Sequence, residues 1–379
     1  MHARSIARTF AAVAAVLGLA ACTESTTEPE MEAPEPYLLF LSTRDGAVDQ
    51  LDRPLRDVYR MRADGTGAVN LTGSPSFLYT GMSISPGGER VLFADSGCDI
   101  WAMATDGTGL ARLTGDEEGE GCNGSPRWSP DGSMIAFTSN REGRVWGTTS
   151  GVYDVYVMNA DGGNPRNVLA SPGDVLGFNV SVVGWSPAGE IVFDTDDGGG
   201  ANRRVYVVRP DGSGPRPFFD NPSDHSPAWS PDGSMIAFVR EEDGRARLHV
   251  MNTDGSDVRA LTDHPGNDRL PPGRGGFSMA DPDVSPWSPD GEFIAFQRYD
   301  TPPAWGSIHV VRPDGTDLRG LTSFSGDFNG WSPDGKRIAL TGRQNLDAPD
   351  VYVINADGTG LVNLTNSAWQ DTDAMWVKD

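Results

Sequence analysis

An internal repeat is the feature that most constrains the fold of this chain. The ten residues WSPDGSMIAF occur twice, at positions 128–137 and 229–238. They contain a first phrase, Trp-Ser-Pro-Asp-Gly followed by an apolar triplet, which begins at Trp128, Trp185, Trp229, Trp287 and Trp331 and, in a degenerate form, at Ile84. A second phrase, Tyr-Val-Met-x-x-Asp-Gly running into Leu-Thr, occurs near Val58, Ile100, Val155, Val205, Leu248, Ile308 and Val351. A unit that recurs along a chain in this way is typical of architectures in which each unit buries its faces only against its neighbours.

One first phrase is missing, and the two ends of the chain supply it. Residues 37–43 (YLLFLST) match its apolar half, and residues 374–379 (AMWVKD) match the half that precedes Pro-Asp-Gly. The last strand is therefore expected to complete the first unit. Such a split closes a ring of units.

Each unit is predicted to contain four short strands, a to d. Pro-Asp-Gly forms the turn between strands a and b, because Pro sets φ and Gly accepts a positive φ; a second Asp-Gly turn joins strands c and d. The apolar runs between these turns are typical of strands buried on both faces. The pattern predicts an all-β, seven-bladed β-propeller over residues 37–379, with six or eight blades as the alternatives.

The two faces of such a propeller differ in their loops. Both kinds of Asp-Gly turn lie on one face, the Asp-Gly face; the b–c and d–a connections lie on the other, the loop face. Asp131 and Asp161 are 30 residues apart, against 22 for Asp232 and Asp254, so one b–c loop is extended. The d–a connection over residues 264–284 is also long. Variable loops on a rigid scaffold favour recognition, so Trp146 and Trp305 in such insertions are candidate binding residues.

Polar residues recur where strand a enters the central channel from the loop face. His225 lies four residues before Trp229, and the matching positions hold Asn123, Asp283, Asp327 and Asp373. This pattern indicates a mostly acidic collar that receives a cation or a basic group of a ligand. The alternative interpretation is a solvated channel mouth without a ligand.

Motifs for catalysis are missing from the sequence. We find no Gly-x-Ser-x-Gly, no His-Glu-x-x-His, no phosphate-binding glycine loop and no Cys/His cluster. His249 and His309 occupy a strand position filled by Tyr in other units, which leaves His225 and His264. We therefore predict no catalytic residue, no metal site and no cofactor.

The N-terminal residues indicate export. Arg4 and Arg8 precede an Ala-rich apolar run that ends in Leu-Ala-Ala before Cys22, which predicts a signal peptide over residues 1–21. The Leu-Ala-Ala-Cys string resembles the bacterial lipobox, and this resemblance makes Cys22 a lipidated residue that anchors the chain to a membrane. Residues 22–36 are predicted to be a disordered tether. In an exported protein the remaining Cys98 and Cys122, both placed on the loop face, are predicted to form a disulfide.

The sequence of the repeats over residues 37–379 resembles that of the TolB-like family of bacterial propellers, whose repeat is also called WD40-like or PD40. TolB has six blades and a separate α/β domain, whereas this chain has seven units after a short tether. The resemblance implies a monomeric, non-enzymatic propeller that binds a protein or peptide of the cell envelope, at the outer membrane facing the periplasm. A polysaccharide lyase or hydrolase with its site at the channel mouth is the alternative. The formal net charge of −23 excludes a nucleic-acid partner.

Overall fold

The structure is a computed structural model that describes residues 36–46, 48, 54–73, 80–95, 97–115, 121–141, 145–146, 149–150, 153–169, 180–195, 204–270, 284–299, 306–343 and 348–377. The chain divides into two units, Met1–Pro34 and Glu35–Asp379. The first unit, which contains Cys22, lies outside the described residues. Strands alone make up the regular structure of the described residues, and none of these residues lies in a helix long and apolar enough to span a membrane.

The second unit contains seven four-stranded antiparallel sheets, which confirms the predicted seven blades. Blade 1 consists of β30 (Asp371–Val377), β1 (Tyr37–Ser42), β2 (Asp57–Arg62) and β3 (Val69–Asn70). Blade 2 consists of β4 (Thr80–Ile84), β5 (Arg90–Ala94), β6 (Ile100–Ala104) and β7 (Ala111–Arg112). Blade 3 consists of β8 (Asn123–Trp128), β9 (Met134–Ser139), β12 (Asp154–Asn159) and β13 (Arg166–Asn167), with the hairpin β10 (Val145–Trp146) and β11 (Thr149–Ser150) inserted between its strands b and c.

The remaining blades follow the same order of strands. Blade 4 consists of β14 (Val180–Trp185), β15 (Ile191–Thr195), β16 (Arg204–Val208) and β17 (Arg216–Pro217). Blade 5 consists of β18 (Asp224–Trp229), β19 (Met235–Glu242), β20 (Arg245–Asn252) and β21 (Arg259–Ala260). Blade 6 consists of β22 (Asn267–Arg269), β23 (Ile294–Tyr299), β24 (Ser307–Val311) and β25 (Arg319–Gly320), and blade 7 of β26 (Gly326–Trp331), β27 (Arg337–Gly342), β28 (Asp350–Asn355) and β29 (Val362–Asn363).

The ends of the chain pair in blade 1. Strand β30 runs antiparallel to β1, with Trp376 opposite Leu38 and Asp371 opposite Ser42. This is the predicted completion of the first unit by the last strand. Because strands from both ends form one sheet, the ring is closed by backbone hydrogen bonds.

The first phrase is a hydrogen-bonded hairpin turn. In blade 3, Ser129 Oγ donates to Asp131 Oδ1 (2.6 Å) and accepts from the Met134 N–H (2.9 Å). Gly132, at φ 69°, donates its N–H to the Ser129 carbonyl (2.8 Å). The same bonds recur at Ser230, Ser288 and Ser332. Ser, Asp and Gly therefore recur because each satisfies one requirement of the turn.

The second phrase is explained by two recurring bonds. The Asp of each c–d turn accepts the N–H of the residue two positions later, as in Asp64 to Thr66 (2.8 Å). The Thr of Leu-Thr places its Oγ1 where it accepts a strand c N–H, as in Val58 to Thr72 (3.2 Å). That second bond is repeated by Thr114, Thr262, Thr322 and Thr365. Strand d, which is only two residues long, is held to strand c by this side chain.

The tryptophans of the first phrase join neighbouring blades. In three blades the indole N–H donates to the carbonyl of the residue that immediately precedes the tryptophan of the previous blade. The three bonds run from Trp185 to Arg127 (3.1 Å), from Trp287 to Ala228 (2.9 Å) and from Trp331 to Pro286 (2.9 Å). The first-phrase tryptophans are thus packing residues between blades, as their repetition predicted.

The apolar core lies between the blades. Strand b has an apolar residue next to the a–b turn, and two positions later it has a phenylalanine in six blades. These phenylalanines are fully buried: Phe40, Phe93, Phe137, Phe193, Phe238 and Phe296. Phe137 of blade 3, for example, belongs to one buried cluster with Leu92 of blade 2. The adjacent Ala136 belongs to another cluster with Phe193 of blade 4, because successive side chains of a strand point to opposite faces. Since both faces of a blade are covered in this way, removal of one neighbour exposes a whole face to water.

A cavity of about 860 Å³ occupies the centre of the ring at its Asp-Gly end. Residues of strand a and of the a–b turns from all seven blades line it. The first-phrase tryptophans form its walls, and the prolines of the turns surround its outer end. The central channel is therefore apolar at the face that the repeated phrases build.

The extra residues of blade 6 lie within strand a. The prediction assigned residues 264–284 to a long d–a connection, but β22 lies inside this stretch and pairs with β23. The chain then returns to the sheet at Trp287, which bridges to Ile294. The predicted connection was wrong because strand a of this blade is interrupted, and the inserted residues 271–283 lie outside the described part of the chain.

The predicted disulfide is present between Cys98 and Cys122, whose Cα atoms are 4.6 Å apart. Cys98 follows strand b of blade 2, and Cys122 directly precedes strand a of blade 3. The bond therefore links two neighbouring blades, and the Asn123 N–H donates to the Cys98 carbonyl beside it (2.9 Å). A covalent link of this kind restricts the distance between the two linked segments in the unfolded chain and so lowers its conformational entropy.

Replacement of Trp287 by Phe tests the inter-blade hydrogen bonds. The change removes the donor to the buried Ala228 carbonyl, so we expect a loss of about 1–3 kcal/mol in the free energy of unfolding, measured by urea denaturation. Trp128→Phe is the matched control, because the Trp128 indole N–H has no acceptor among the described residues. Equal losses in the two variants would show that the volume of the indole side chain, and not its hydrogen bond, stabilises the interface between the blades.

The a–b turns predict a loss of stability in acid. Hydrogen bonds from Ser129 and from the Ser133 N–H and Oγ lower the pKa of Asp131 to about 2, and equivalent bonds lower that of Asp232 to about 2. Since the unfolded value is about 3.9, the stabilisation is complete above about pH 4 and is lost as the pH falls towards 2. In pH-dependent thermal unfolding, the double variant Asp131→Asn, Asp232→Asn should lose less stability over this range. A parallel decline in both proteins would refute this account of the turns.

Candidate functional site

A recurring polar position lies at the loop-face end of strand a. It holds an acidic or amide side chain in four blades, and each of these residues is buried: Asp371, Asn123, Asp224 and Asp268. They are equivalent by register, because each lies opposite the strand b residue two positions after the buried phenylalanine, namely Ser42, Ser139, Arg240 or Arg298. A buried carboxylate at such a position requires a partner.

Arginines from the end of strand b provide those partners. Arg240 binds both oxygens of Asp224 (2.6 and 2.7 Å). The other three pairs are Arg44 with Asp371 (3.1 Å), Arg141 with Asn123 (3.0 Å) and Arg298 with Asp268 (3.5 Å). Each guanidinium also lies 5.0 to 5.5 Å from the centre of a strand b phenylalanine ring, namely Phe40, Phe137, Phe238 or Phe296. These arginine pairs are a repeated structural module, and they neutralise the charge of the buried acids.

The predicted acidic collar is therefore not a ring of free carboxylates. Asn123 is buried against Arg141. Asp327 is half-buried and accepts from Gln297 Nε2 (3.2 Å), and Asp373 is half-buried and accepts from Thr372 Oγ1 (2.9 Å). In blade 1 the residue equivalent to Asp224 is Asp371, because it pairs with Ser42 as Asp224 pairs with Arg240. Asp373 lies two positions later, at the strand a bulge (φ 56°) that Ser226 occupies in blade 5.

Blade 6 also differs from the prediction, which placed Asp283 at the position that matches His225. Asp268 and Arg269 occupy the positions of Asp224 and His225, since Asp268 lies opposite Arg298 as Asp224 lies opposite Arg240. Counting four residues back from Trp287 selected Asp283, which lies outside the described residues. The count failed because it assumed an uninterrupted strand a.

Polar groups that are exposed or half-buried come from three neighbouring blades at the mouth of the channel. Blade 5 contributes His225 and Glu241, blade 6 contributes Arg269 and Tyr299, and blade 7 contributes Asp327. We call these five residues the mouth cluster. Arg269 is exposed, and its guanidinium lies 4.8 Å from the centre of the Tyr299 ring. Asp327 is tied to blade 6 through Gln297, which also donates to the Gly326 carbonyl (2.7 Å).

The charges of the mouth cluster influence one another. His225 Nε2 lies 3.7 Å from Glu241 Oε1, and this contact, together with the charge of Arg269, lowers the pKa of Glu241. Burial and the negative charge of Asp327 raise the pKa of Tyr299, against the effect of Arg269. The cluster thus offers a cation, a carboxylate and a phenol donor within one mouth at neutral pH.

The other histidines have structural partners. His264 Nε2 lies 2.7 Å from Asp268 Oδ1, and its Nδ1 accepts from the Gly266 N–H (3.0 Å). Both ring nitrogens are therefore engaged, and the prediction that His264 is free was wrong. His249 and His309 lie in β20 and β24, as predicted, and each ring lies 5.5 Å from that of Phe238 or Phe296.

The two tryptophans that were predicted to bind a ligand lie in insertions that the structure describes only in part. Trp146 lies in β10, within the predicted loop-face insertion, and its side chain lies outside the described part; Trp305 lies outside it entirely. Trp369, which the sequence reasoning missed, is 45% exposed in the connection between blades 7 and 1. It was detectable as a tryptophan that breaks the repeat.

No group of three or more His, Cys, Asp or Glu side chains that could hold a metal occurs in the described part of the chain. The polar residues at the mouth are suited instead to hydrogen bonds and ion pairs with a ligand that carries charges of both signs.

Comparison with known proteins identifies relatives of the repeat. The sequence profile of the TolB beta propeller domain, PD40, matches residues 65–272, more than half of the chain. An uncharacterized protein of Agrobacterium fabrum is 29% identical over 181 residues, which cover 45% of this chain and 53% of the relative. The Tol-Pal system protein TolB of Methylococcus capsulatus is 37% identical over 82 residues, 21% of this chain and 19% of the relative.

The fold is similar to a solved oligogalacturonate lyase in complex with manganese, with a TM-score of 0.61 and 14% identity over 84% of this chain and 85% of that chain. At this identity the likeness concerns the fold alone. The chain spans about half the length of the first curated relative and much less of the TolB relative.

Replacement of Asp224 by Ala tests whether the buried acids are structural. The change leaves the Arg240 guanidinium, whose side chain is 19% exposed, without its carboxylate, so we expect a loss of about 2–4 kcal/mol in the free energy of unfolding. His225→Ala, at the next position, is the control and should cost less than about 1 kcal/mol, because that side chain is one-third exposed. Chemical denaturation distinguishes the two, and a stable Asp224→Ala variant would contradict the structural role.

Proposed function

This chain belongs to the family of TolB β-propeller domains, PD40, and on that basis we propose that it is a non-enzymatic cell-envelope protein that binds a protein or peptide at its loop face. The proposal extends to the ends of the chain. A signal peptide over residues 1–21 is removed, Cys22 carries the lipid, and residues 22–36 tether a monomeric propeller over residues 37–379. The anchor lies in the outer membrane, and the propeller faces the periplasm.

The mouth cluster is the observation that supports the loop face as the binding surface. Arg269, Glu241 and Asp327 bring both signs of charge to one channel mouth, and His225 and Tyr299 add further hydrogen-bonding groups. Peptides present backbone donors and acceptors together with charged side chains, so a mixed cluster of this kind recognises them well. The cluster spans three blades, which gives it the breadth that a peptide segment requires.

Binding is favoured over catalysis by the engagement of the histidines. A general base needs a ring nitrogen that can reach a substrate proton. His264 uses both nitrogens within the fold, and His225 Nδ1 lies 2.9 Å from Ser226 Oγ. The alternative, a polysaccharide lyase or hydrolase, is supported by one arrangement: exposed Arg269 beside Tyr299 and His225 could pair with the carboxylate of an acidic sugar.

The cell-envelope location is supported by the relatives. The matching Methylococcus capsulatus protein is named as a component of a Tol-Pal system. The formal net charge of −23 is consistent with an exported protein that avoids nucleic acids. A lipidated Cys22 would keep the propeller within tether length of the membrane.

Crosslinking in whole cells tests the proposed function. We expect the full-length protein to capture an envelope protein, and the double variant His225→Ala, Arg269→Ala to lose at least about 80% of that product, since hot-spot residues dominate an interface. Arg209→Ala is the matched control, because this arginine is exposed at a c–d turn on the Asp-Gly face. Cys22→Ser should move the protein from the membrane fraction to the periplasmic extract.

Two results would overturn the proposal. Unchanged capture by the double variant would show that the mouth cluster is not the interface. Cleavage of an acidic polysaccharide by the purified protein, lost in the same double variant, would establish the enzyme instead. A Cys22→Ser protein that stays in the membrane fraction would contradict the lipid anchor alone.

A further inference from the structure

We propose a second binding site at the opposite end of the channel, where the a–b turns form a ring of prolines around the central cavity. Its ligand is an extended peptide segment that combines lysine or arginine with apolar residues. The site is separate from the mouth cluster, because it is built by the Trp-Ser-Pro-Asp-Gly phrases on the Asp-Gly face. We call the six prolines around this end the proline collar; they are Pro86, Pro130, Pro187, Pro231, Pro289 and Pro333.

The cavity behind the collar has the dimensions of a ligand site. Its volume of about 860 Å³ lies within the usual range for pockets that enclose small ligands or peptide segments. The prolines of the collar are exposed to solvent, apart from Pro333, which is half-buried. The cavity therefore opens at the Asp-Gly face, and its edge is apolar.

The collar is continuous around much of the ring. A Cβ atom placed on Gly132 would lie 3.7 Å from Pro86, and one placed on Gly335 would lie 3.5 Å from Pro289. The same closeness recurs at Gly233 and Gly291, so in four blades the turn glycine lies next to the proline of the preceding blade. Contiguous exposed pyrrolidine rings on a closed scaffold form a preorganised apolar surface, which reduces the entropy lost when a ligand binds.

Negative charge surrounds this apolar opening. In four blades the collar proline is followed directly by an exposed aspartate, namely Asp131, Asp232, Asp290 and Asp334. Lys336 is the one basic residue in the same turns. An apolar cavity with an anionic edge selects a ligand that is apolar and positively charged.

A sugar is a poorer match to this site. Sugars stack on exposed aromatic faces, but five of the six wall tryptophans are buried and only Trp229 is half-buried. The acidic edge further disfavours uronates and phosphorylated ligands. The combination of an apolar cavity, exposed prolines and exposed aspartates is matched by a basic, apolar peptide.

Peptide titration of the purified full-length protein tests the proposal through tryptophan fluorescence. The probe is a short capped peptide of proline, leucine and lysine, and its comparison peptide carries glutamate in place of lysine. We expect the lysine peptide to change the emission and the glutamate peptide to leave it unchanged. The double variant Asp131→Asn, Asp232→Asn should bind the lysine peptide about threefold to tenfold more weakly, since each exposed ion pair contributes modestly.

The controls separate the site from the rest of the molecule. Asp211→Asn with Asp254→Asn changes the same number of charges on the same face, but at c–d turns, and should bind as wild type does. Pro187→Arg with Pro231→Arg places cations in the collar and should abolish binding. His225→Ala with Arg269→Ala should leave this binding unchanged.

Four results would overturn the proposal. They are equal affinity for the glutamate peptide, equal weakening by the c–d turn variants, unimpaired binding to the Pro187→Arg, Pro231→Arg protein, and loss of binding in the mouth-cluster variant. The last result would place the peptide at the loop face. Circular dichroism of each variant establishes that a loss of binding does not come from unfolding.

Discussion

Each blade of this propeller depends on the burial of both of its faces by two neighbours. A four-stranded sheet with apolar residues on both sides is not stable alone, so the ring must close. Closure rests on β30 and β1, which bring the two ends of the chain into one sheet. The inter-blade tryptophan bonds and the Cys98–Cys122 disulfide then hold neighbouring blades in a fixed relation.

The residues of the repeated phrases build each blade and join it to its neighbour. Ser and Asp satisfy the backbone of the a–b turn, Gly takes the left-handed conformation, and Trp reaches the preceding blade. Thr of the second phrase holds the short outer strand. These residues serve the scaffold, whereas the loop-face ends of strands a and b differ from blade to blade. The mouth cluster is assembled at those strand ends.

The two ends of the channel consequently differ in chemistry. The loop-face end carries exposed polar groups of both charges, contributed by residues that differ from blade to blade. The Asp-Gly end carries proline, tryptophan and aspartate in a regular ring. A residue that recurs for structural reasons can therefore also present a surface, since seven equivalent positions converge on one axis. The proline collar arises from this convergence.

The sequence by itself determined the blade count, the split first unit, the turns, the inter-blade role of the tryptophans and the disulfide, because a periodic pattern reports local geometry and its repetition. Tertiary structure alone decided which polar residues are free. Asp371, and not Asp373, has the buried position, since Asp373 lies at the strand a bulge that Ser226 occupies in blade 5. Asp283 was misplaced because strand a of blade 6 is interrupted. The buried acids that recur there, Asp224, Asp268 and Asp371, are neutralised by arginines that come from the end of strand b. Spacing along a chain does not contain these pairings; they exist only when strands a and b lie side by side.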